Sequence, residues 1–184
     1  MNKNLLNTDT SLLLIINVQE KLITVQYEKE KIAKNTAILA EAAKILNIPV
    51  VLSEQYPKGL GSTIEEVKAK LPENAVFFEK TSFNCCCESG FNELISSFGK
   101  KQILVCGMES HICVHQTVFH LLAQNYEVIL IQDAIGSRKE YEYKLGIKRM
   151  ISEGAIPSCS EMALFEFLRG AKHPEFKAIQ GLIK

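Results

Sequence analysis

QILVCGMESHICVHQTV, Gln102–Val118, passes from an apolar, strand-like segment through a glycine and a short polar turn to a cysteine and an amphipathic helical pattern. A shift from a short apolar run to 3.6-residue spacing marks a strand feeding a helix, and it puts Cys113 at the junction. A thiol in the first turn of a helix meets unpaired backbone N–H groups and the positive end of the helix dipole, both of which favour its thiolate form. The same N–H groups could hold an oxyanion beside the sulfur. Taken alone, such a cysteine is more often a small buried residue closing a loop. The rest of the chain tips the balance toward a nucleophile.

Outward from this stretch, apolar runs rich in Ile, Val and Leu recur at Leu12–Ile16, Val50–Leu52, Val76–Phe78 and Val128–Ile131, with a weaker one at Ala155–Ile156. Together with Gln102–Cys106 they read as short buried strands. Helical spacing fills the intervals: Ile32 to Ala43 before Asn47, Ile64 to Leu71, Phe91 to Phe98, Val114 to Leu122, and Leu145 to Ile151 before Gly154. Regular alternation predicts an α/β fold, a three-layer α/β/α sandwich around a mainly parallel, Rossmann-like six-stranded sheet. In such sheets the site lies beyond the C-terminal ends of the strands, near the point where strand order reverses. Asn17, Lys80 and Cys113 each follow a predicted strand, so all three should reach that edge.

The 184 residues suit one domain, 1–184, with no Pro/Ser-rich linker to divide it. Charges cancel to a formal zero, so nucleic acid and anionic membranes should exert no general attraction. No apolar run is long enough to span a bilayer, and no cleavable leader is evident. A cytoplasmic protein with a small-molecule substrate is expected. The six cysteines show no CxxC spacing and should be free thiols.

Lys80, between VFFE and TSF, would place an ammonium near Cys113 and lower the thiol's pKa. Asn17 closes LLLIIN, where a carboxylate would complete a Cys, Lys and acid trio. An amide can orient a neighbour but cannot accept a thiol's proton at neutral pH.

LLLIINVQEKL, EQYPKGLGST, FEKTSFNC, GMESHICVHQTV and IQDAIGSR, spread over nearly the whole chain, resemble the isochorismatase-like cysteine hydrolase superfamily, which includes nicotinamidases and N-carbamoylsarcosine amidases. EQYPKGLG and HPEFKAIQGLIK further resemble a subgroup of isochorismatase-domain proteins, some of which once carried a ribonuclease label. The resemblance implies that Cys113 is the nucleophile and Lys80 the triad lysine. Asn17 then stands where the general base is normally Asp. It also implies a cis peptide at Met108–Glu109 and an oxyanion hole formed by the N–H groups of Glu109 and Cys113. Gln19, Tyr56, Phe83 and His111 are the expected substrate contacts.

True isochorismatases lack the nucleophilic cysteine and cleave a vinyl ether, so the resemblance favours hydrolysis of a small amide through a thioester. Positioned acid/base groups typically contribute about a hundred- to ten-thousand-fold, and the amide at position 17 should impair turnover accordingly. A non-catalytic small-molecule binder or oligomeric interaction protein on the same scaffold is the alternative.

No metal and no cofactor are expected. SEQYPKGLG lacks the Asp/His cluster of metal-dependent nicotinamidases, and His111 with His115 offers only two ligands. Cys85, Cys86 and Cys87 are adjacent rather than spaced around a tetrahedral site, and read as core or pocket-edge residues. RNA cleavage finds no basic-aromatic surface. A homo-oligomer, dimer or tetramer, is expected because Ala163, Leu164, Phe165, Phe167, Leu168, Phe176, Ile179 and Leu182 exceed what one helix face places in a core.

Overall fold

The computed structural model describes residues 5–184. Six strands, β1 (Ser11–Ile16), β2 (Val50–Gln55), β3 (Val76–Lys80), β4 (Gln102–Met108), β5 (Glu127–Gly136) and β6 (Ile156–Ser158), form one sheet in the order β3-β2-β1-β4-β5-β6. Every pairing is parallel. This is the doubly wound order, and the reversal falls between β1 and β4.

Helices α1 (Glu20–Ile23), α2 (Lys29–Ile45), α3 (Pro57–Leu60), α4 (Glu65–Lys68), α5 (Phe91–Ser97), α6 (Cys113–Ala123), α7 (Glu140–Ser152), α8 (Ser160–Leu168) and α9 (Phe176–Leu182) complete the described elements, with a 3-10 turn at Cys85–Cys87. Side chains alternate across the sheet. Leu13, Ile15, Leu104 and Ile129 join α2, α8 and α9 in one core, whereas Leu12, Leu14, Ile103 and Val128 join α5, α6 and α7 in the other. Burial on both faces is why these strands read as unbroken apolar runs.

The exception is β3 at the sheet's edge. Its residues are exposed or half-buried until the last, Lys80, which is 2% exposed. A charged side chain is rarely buried without a reason in its surroundings.

Between β1 and β4 a glycine is obligatory. Gly107 has φ +111°, and a Cβ there would fall 2.0 Å from the Ile16 carbonyl oxygen. The ladder between β4 and β5 shifts register at the same place, between Val105 and Gly107. The chain is thereby turned into the segment carrying Glu109 and Cys113.

The C-terminal helices absorb the apolar side chains that exceed one helix face, without bearing on assembly itself. Ala163, Leu164, Phe167, Leu168 and Ile179 are all buried within this chain's own core, with Phe176 and Leu182 packed against it. Two helices approach from different directions, so the core takes more of these side chains than one helix face could. Phe165, against Phe176 at 6.4 Å between ring centroids, stays partly exposed, as does Met162.

Candidate functional site

Asn17, Gln55, Lys80 and Cys113 meet at the C-terminal ends of β1, β2 and β3 and the N-terminus of α6. Lys80 starts two strands away from β1, and adjacent strands lie about 4.8 Å apart. Its side chain turns inward along the sheet edge. Nζ donates to Gln55 Oε1 at 2.5 Å, Ser82 O at 2.9 Å and Phe83 O at 3.2 Å. Cys113 Sγ lies 4.0 Å from the same Gln55 oxygen. Gln55 therefore stands between ammonium and thiol.

Asn17, 1% exposed, has φ +53°, a conformation that asparagine tolerates well. Its N–H donates to Ser53 O at 2.9 Å and its Oδ1 accepts from Ser53 Oγ at 3.2 Å. Apart from the Cys113 thiol, its buried amide nitrogen has no hydrogen-bond partner in the protein. The side chain is close enough to Cys113 for hydrogen bonding to draw the thiol's pKa down.

Burial nonetheless dominates and pushes the Cys113 pKa up. Lys80 and Asn17 act against it, while Cys85 and Glu109 add to it. The expectation of a net shift toward thiolate is corrected here, because helix-end and lysine effects are outweighed by desolvation of the sulfur.

The peptide bond Met108–Glu109 is cis. The N–H groups of Ser110, Ile112 and Val114 are taken by Gly136 O, Glu109 O and Glu109 O, at 2.7, 3.0 and 3.2 Å. No backbone carbonyl among the described residues accepts those of Glu109 or Cys113. The Glu109 carboxylate is buried and accepts from Arg138 Nε at 2.8 Å and Gln26 Nε2 at 3.4 Å.

The four expected substrate contacts divide. Gln19 is fully buried, and its Nε2 donates to Gln55 O at 3.0 Å and Gly61 O at 2.7 Å while Oε1 accepts from Gln55 N at 2.7 Å. Both amide hydrogens are spent inside the protein, where the side chain braces the Gln55 backbone. His111 is also engaged: Nδ1 lies 3.0 Å from Ser137 Oγ and Nε2 3.7 Å from Glu142 Oε2. Tyr56 and Phe83 remain exposed. Tyr56 lines a cleft of about 320 Å³ with Pro57, Lys58, Glu79, Lys80, Thr81 and Glu88.

Beside the thiol, Cys85 and Cys86 are buried and Cys87 exposed; all six cysteines are free. Cys85 N–H donates to Thr117 Oγ1 on α6 at 3.0 Å. Burial raises the Cys86 thiol to about 12. His115 packs against Phe119 with the rings tilted 45° and their centroids 4.3 Å apart, and burial pushes its pKa down. Among the described residues, no three His, Cys, Asp or Glu side chains gather in a metal-binding group, and no helix is long and apolar enough to cross a membrane.

Sequence reasoning missed Gln55, although it stands inside EQYPKGLGST. Its signal was a polar residue directly after a buried run, as at Asn17.

The chain belongs to the isochorismatase family: the model of the Isochorismatase domain matches residues 11–162. Isochorismatase domain-containing protein 2 of Danio rerio is 36% identical over 97% of this chain and 89% of its own. The solved structure of MAR1 ribonuclease from Caenorhabditis elegans is 34% identical, with a TM-score of 0.92 over 97% of this chain and 91% of that one. The YcaC protein of Escherichia coli, described as an octameric hydrolase of unknown specificity, shares the fold at 22% identity, with a TM-score of 0.87 over 97% and 94% of the two chains.

Proposed function

We propose that this protein is a cysteine-dependent hydrolase of small amides with Cys113 as its nucleophile. The carrying observation is the meeting of the Cys113 sulfur, the Lys80–Gln55 contact and the two unspent N–H groups of Glu109 and Cys113 at the switch point of the sheet. The thiol proton passes to solvent water, the sulfur attacks the amide carbonyl carbon, and the carbonyl oxygen takes the electron pair while facing those N–H groups, the departing amine later recovering a proton from solvent. The C–N bond then breaks, the amine departs with a proton, and water cleaves the thioester to the acid and the free thiol.

Lys80 favours the thiolate. Asn17 supplies an amide donor in place of a base, and Glu109 does not replace it because Arg138 holds its carboxylate. Turnover is therefore slow. That same missing base favours a second reading, a non-catalytic binder of small molecules on this scaffold.

Intact mass spectrometry with parallel ammonia-release assays over a panel of small amides separates the two. The hydrolase reading expects an acyl adduct on Cys113 that disappears, with turnover, in Cys113→Ala. Undiminished hydrolysis by Cys113→Ala overturns it, and a retained metabolite with neither adduct nor turnover favours the binder. The proposal includes a cytoplasmic location and a homo-oligomer, dimer or tetramer, for which exposed Met162 and Phe165 offer apolar surface. RNA cleavage is not adopted, since a formal net charge of zero gives RNA no general attraction.

A further inference from the structure

Of the six free cysteines, two lie together at the N-terminal end of α6. Cys113 opens that helix, and Cys85 opens the 3-10 turn packed against it. The turn is pinned along one face of α6: Asn84 Nδ2 lies 3.2 Å from His120 Nδ1, and Cys85 N–H donates to Thr117 Oγ1 at 3.0 Å. Residues 113, 117 and 120 share that face, and helical side chains lean toward the N-terminus, so Thr117 holds Cys85 over the turn that begins with Cys113. The two side chains belong to one core, 0% and 6% exposed, and a negative charge on Cys85 would raise the Cys113 pKa. Cys86, next in the 3-10 turn, is tied to α5 instead, its carbonyl accepting from Asn92 Nδ2 at 2.9 Å.

Amide hydrolysis gives Cys85 no task, but oxidation does. A sulfenic acid that meets a neighbouring thiol condenses with it to a disulfide, whereas one without such a neighbour is open to irreversible oxidation. A disulfide needs Cα atoms within about 7 Å, a range that the Thr117 bond, one helical turn from Cys113, brings within reach. The remaining adjustment falls on a three-residue turn between edge strand β3 and α5, not on α6.

We propose that Cys85 is the resolving thiol of Cys113: hydrogen peroxide oxidises Cys113, and the two sulfurs then close a reversible disulfide that removes the nucleophile. Cys113 Sγ, its proton lost to water, attacks one peroxide oxygen; the O–O bond breaks, hydroxide leaves and is protonated to water, and Cys113 is left as sulfenic acid. The Cys85 sulfur then attacks the Cys113 sulfur, the S–O bond breaks, and the departing hydroxyl leaves as water with the Cys85 proton. The two thiols lose two electrons, which reduce the peroxide to two waters. Burial holds Cys113 as a thiol, so the first step is slow at neutral pH and quickens as pH rises, while the second gains from proximity. Neither step involves an amide, and the proposal stands apart from the hydrolase reading.

Peroxide treatment followed by intact mass spectrometry and non-reducing peptide mapping tests it. The unmodified protein should lose two hydrogens and yield a peptide linking Cys85 to Cys113. Iodoacetamide labelling of Cys113 should fall at least about tenfold and return with dithiothreitol. In Cys85→Ala, Cys113 should instead advance to sulfinic acid that dithiothreitol does not reverse, whereas Cys86→Ala should keep the link. The map of the unmodified protein decides the matter even if Cys85→Ala fails to fold. A bond from Cys113 to Cys86, to Cys87 or to a second copy, sulfinic Cys113 without any link, Cys113 left unoxidised while exposed Cys87 reacts, or reversible protection that persists in Cys85→Ala would overturn the proposal. Ammonia-release assays on the reduced protein report separately on the hydrolase reading.

Discussion

Two polar clusters adjoin Cys113, and they treat charge in opposite ways. On the side of β4, β5 and α7, most charged and polar groups are paired, and the exceptions, Gln26 Oε1 and Glu142 Oε2, are buried acceptors. Glu109 pairs with Arg138 at 2.8 Å, Ser110 Oγ lies 2.6 Å from Ser137 Oγ, and His111 faces both Ser137 and Glu142. Packing there is close as well, since a Cβ on Gly146 would come within 2.6 Å of the Ser110 carbonyl oxygen. On the side of β1, β2 and β3, Lys80 is buried among neutral oxygens with the Glu88 carboxylate in its field, and the Asn17 amide nitrogen meets only the Cys113 thiol. A matched cluster fixes the loop that carries the backbone donors. An unmatched one retains binding capacity, and it is there that substitutions should change chemistry.

Asn17→Asp carries the largest expected effect on this contrast. It restores a proton acceptor in the unmatched cluster, and hydrolysis of neutral small amides should rise by about a hundredfold. Added Cys113→Ala should erase the gain. Unchanged rates in Asn17→Asp beside brisk turnover by the unmodified protein would mean that another base operates.

Lys80→Met comes next. Loss of the ammonium removes the main influence that draws the Cys113 pKa down, so iodoacetamide should label Cys113 about tenfold more slowly at neutral pH. The sign of the pH dependence follows from the raised thiol. In the unmodified protein labelling should still climb where an ordinary exposed cysteine has levelled off, and Lys80→Met should displace that rise further upward. Labelling rates independent of residue 80 would contradict the electrostatic coupling.

The smallest effect belongs to the matched side. Arg138→Ala leaves a buried carboxylate without its cation. Because the guanidinium is half exposed, the cost should be only about 1 kcal/mol in urea denaturation. Cys113 labelling should barely move. A large change in labelling with no change in stability would reverse the roles assigned to the clusters.

The sheet was legible because strands buried on both faces leave continuous apolar runs; its ends were not. β2 continues through Ser53 and Glu54 to Gln55, and β5 to Gly136, beyond the apolar residues that announce them. Gln55 was hidden in that polar extension, and its closeness to Cys113 depends on neighbouring strands that linear spacing does not reveal. Ile64–Leu71 was expected to be helical throughout, but α4 covers only Glu65–Lys68. Bonds such as Lys70 N–H to Val67 O and Leu71 N–H to Lys68 O continue it as tight turns. The four-residue helices α1 and α3 are too short to produce a period. For Cys113 the identities of its electrostatic neighbours were readable, but the depth of burial that outweighs them was a property of the assembled core.

The position of Lys80 ties reactivity to the sheet's periphery. β3 pairs only with β2, and edge elements with few buried side chains open at lower free energy than the centre of a domain. A brief peeling of this strand would wet the ammonium and slacken its hold on Gln55 while the core around β1 and β4 remained closed. Function and global folding thus have separable thresholds, with the chemistry dependent on a strand at the rim of the sheet.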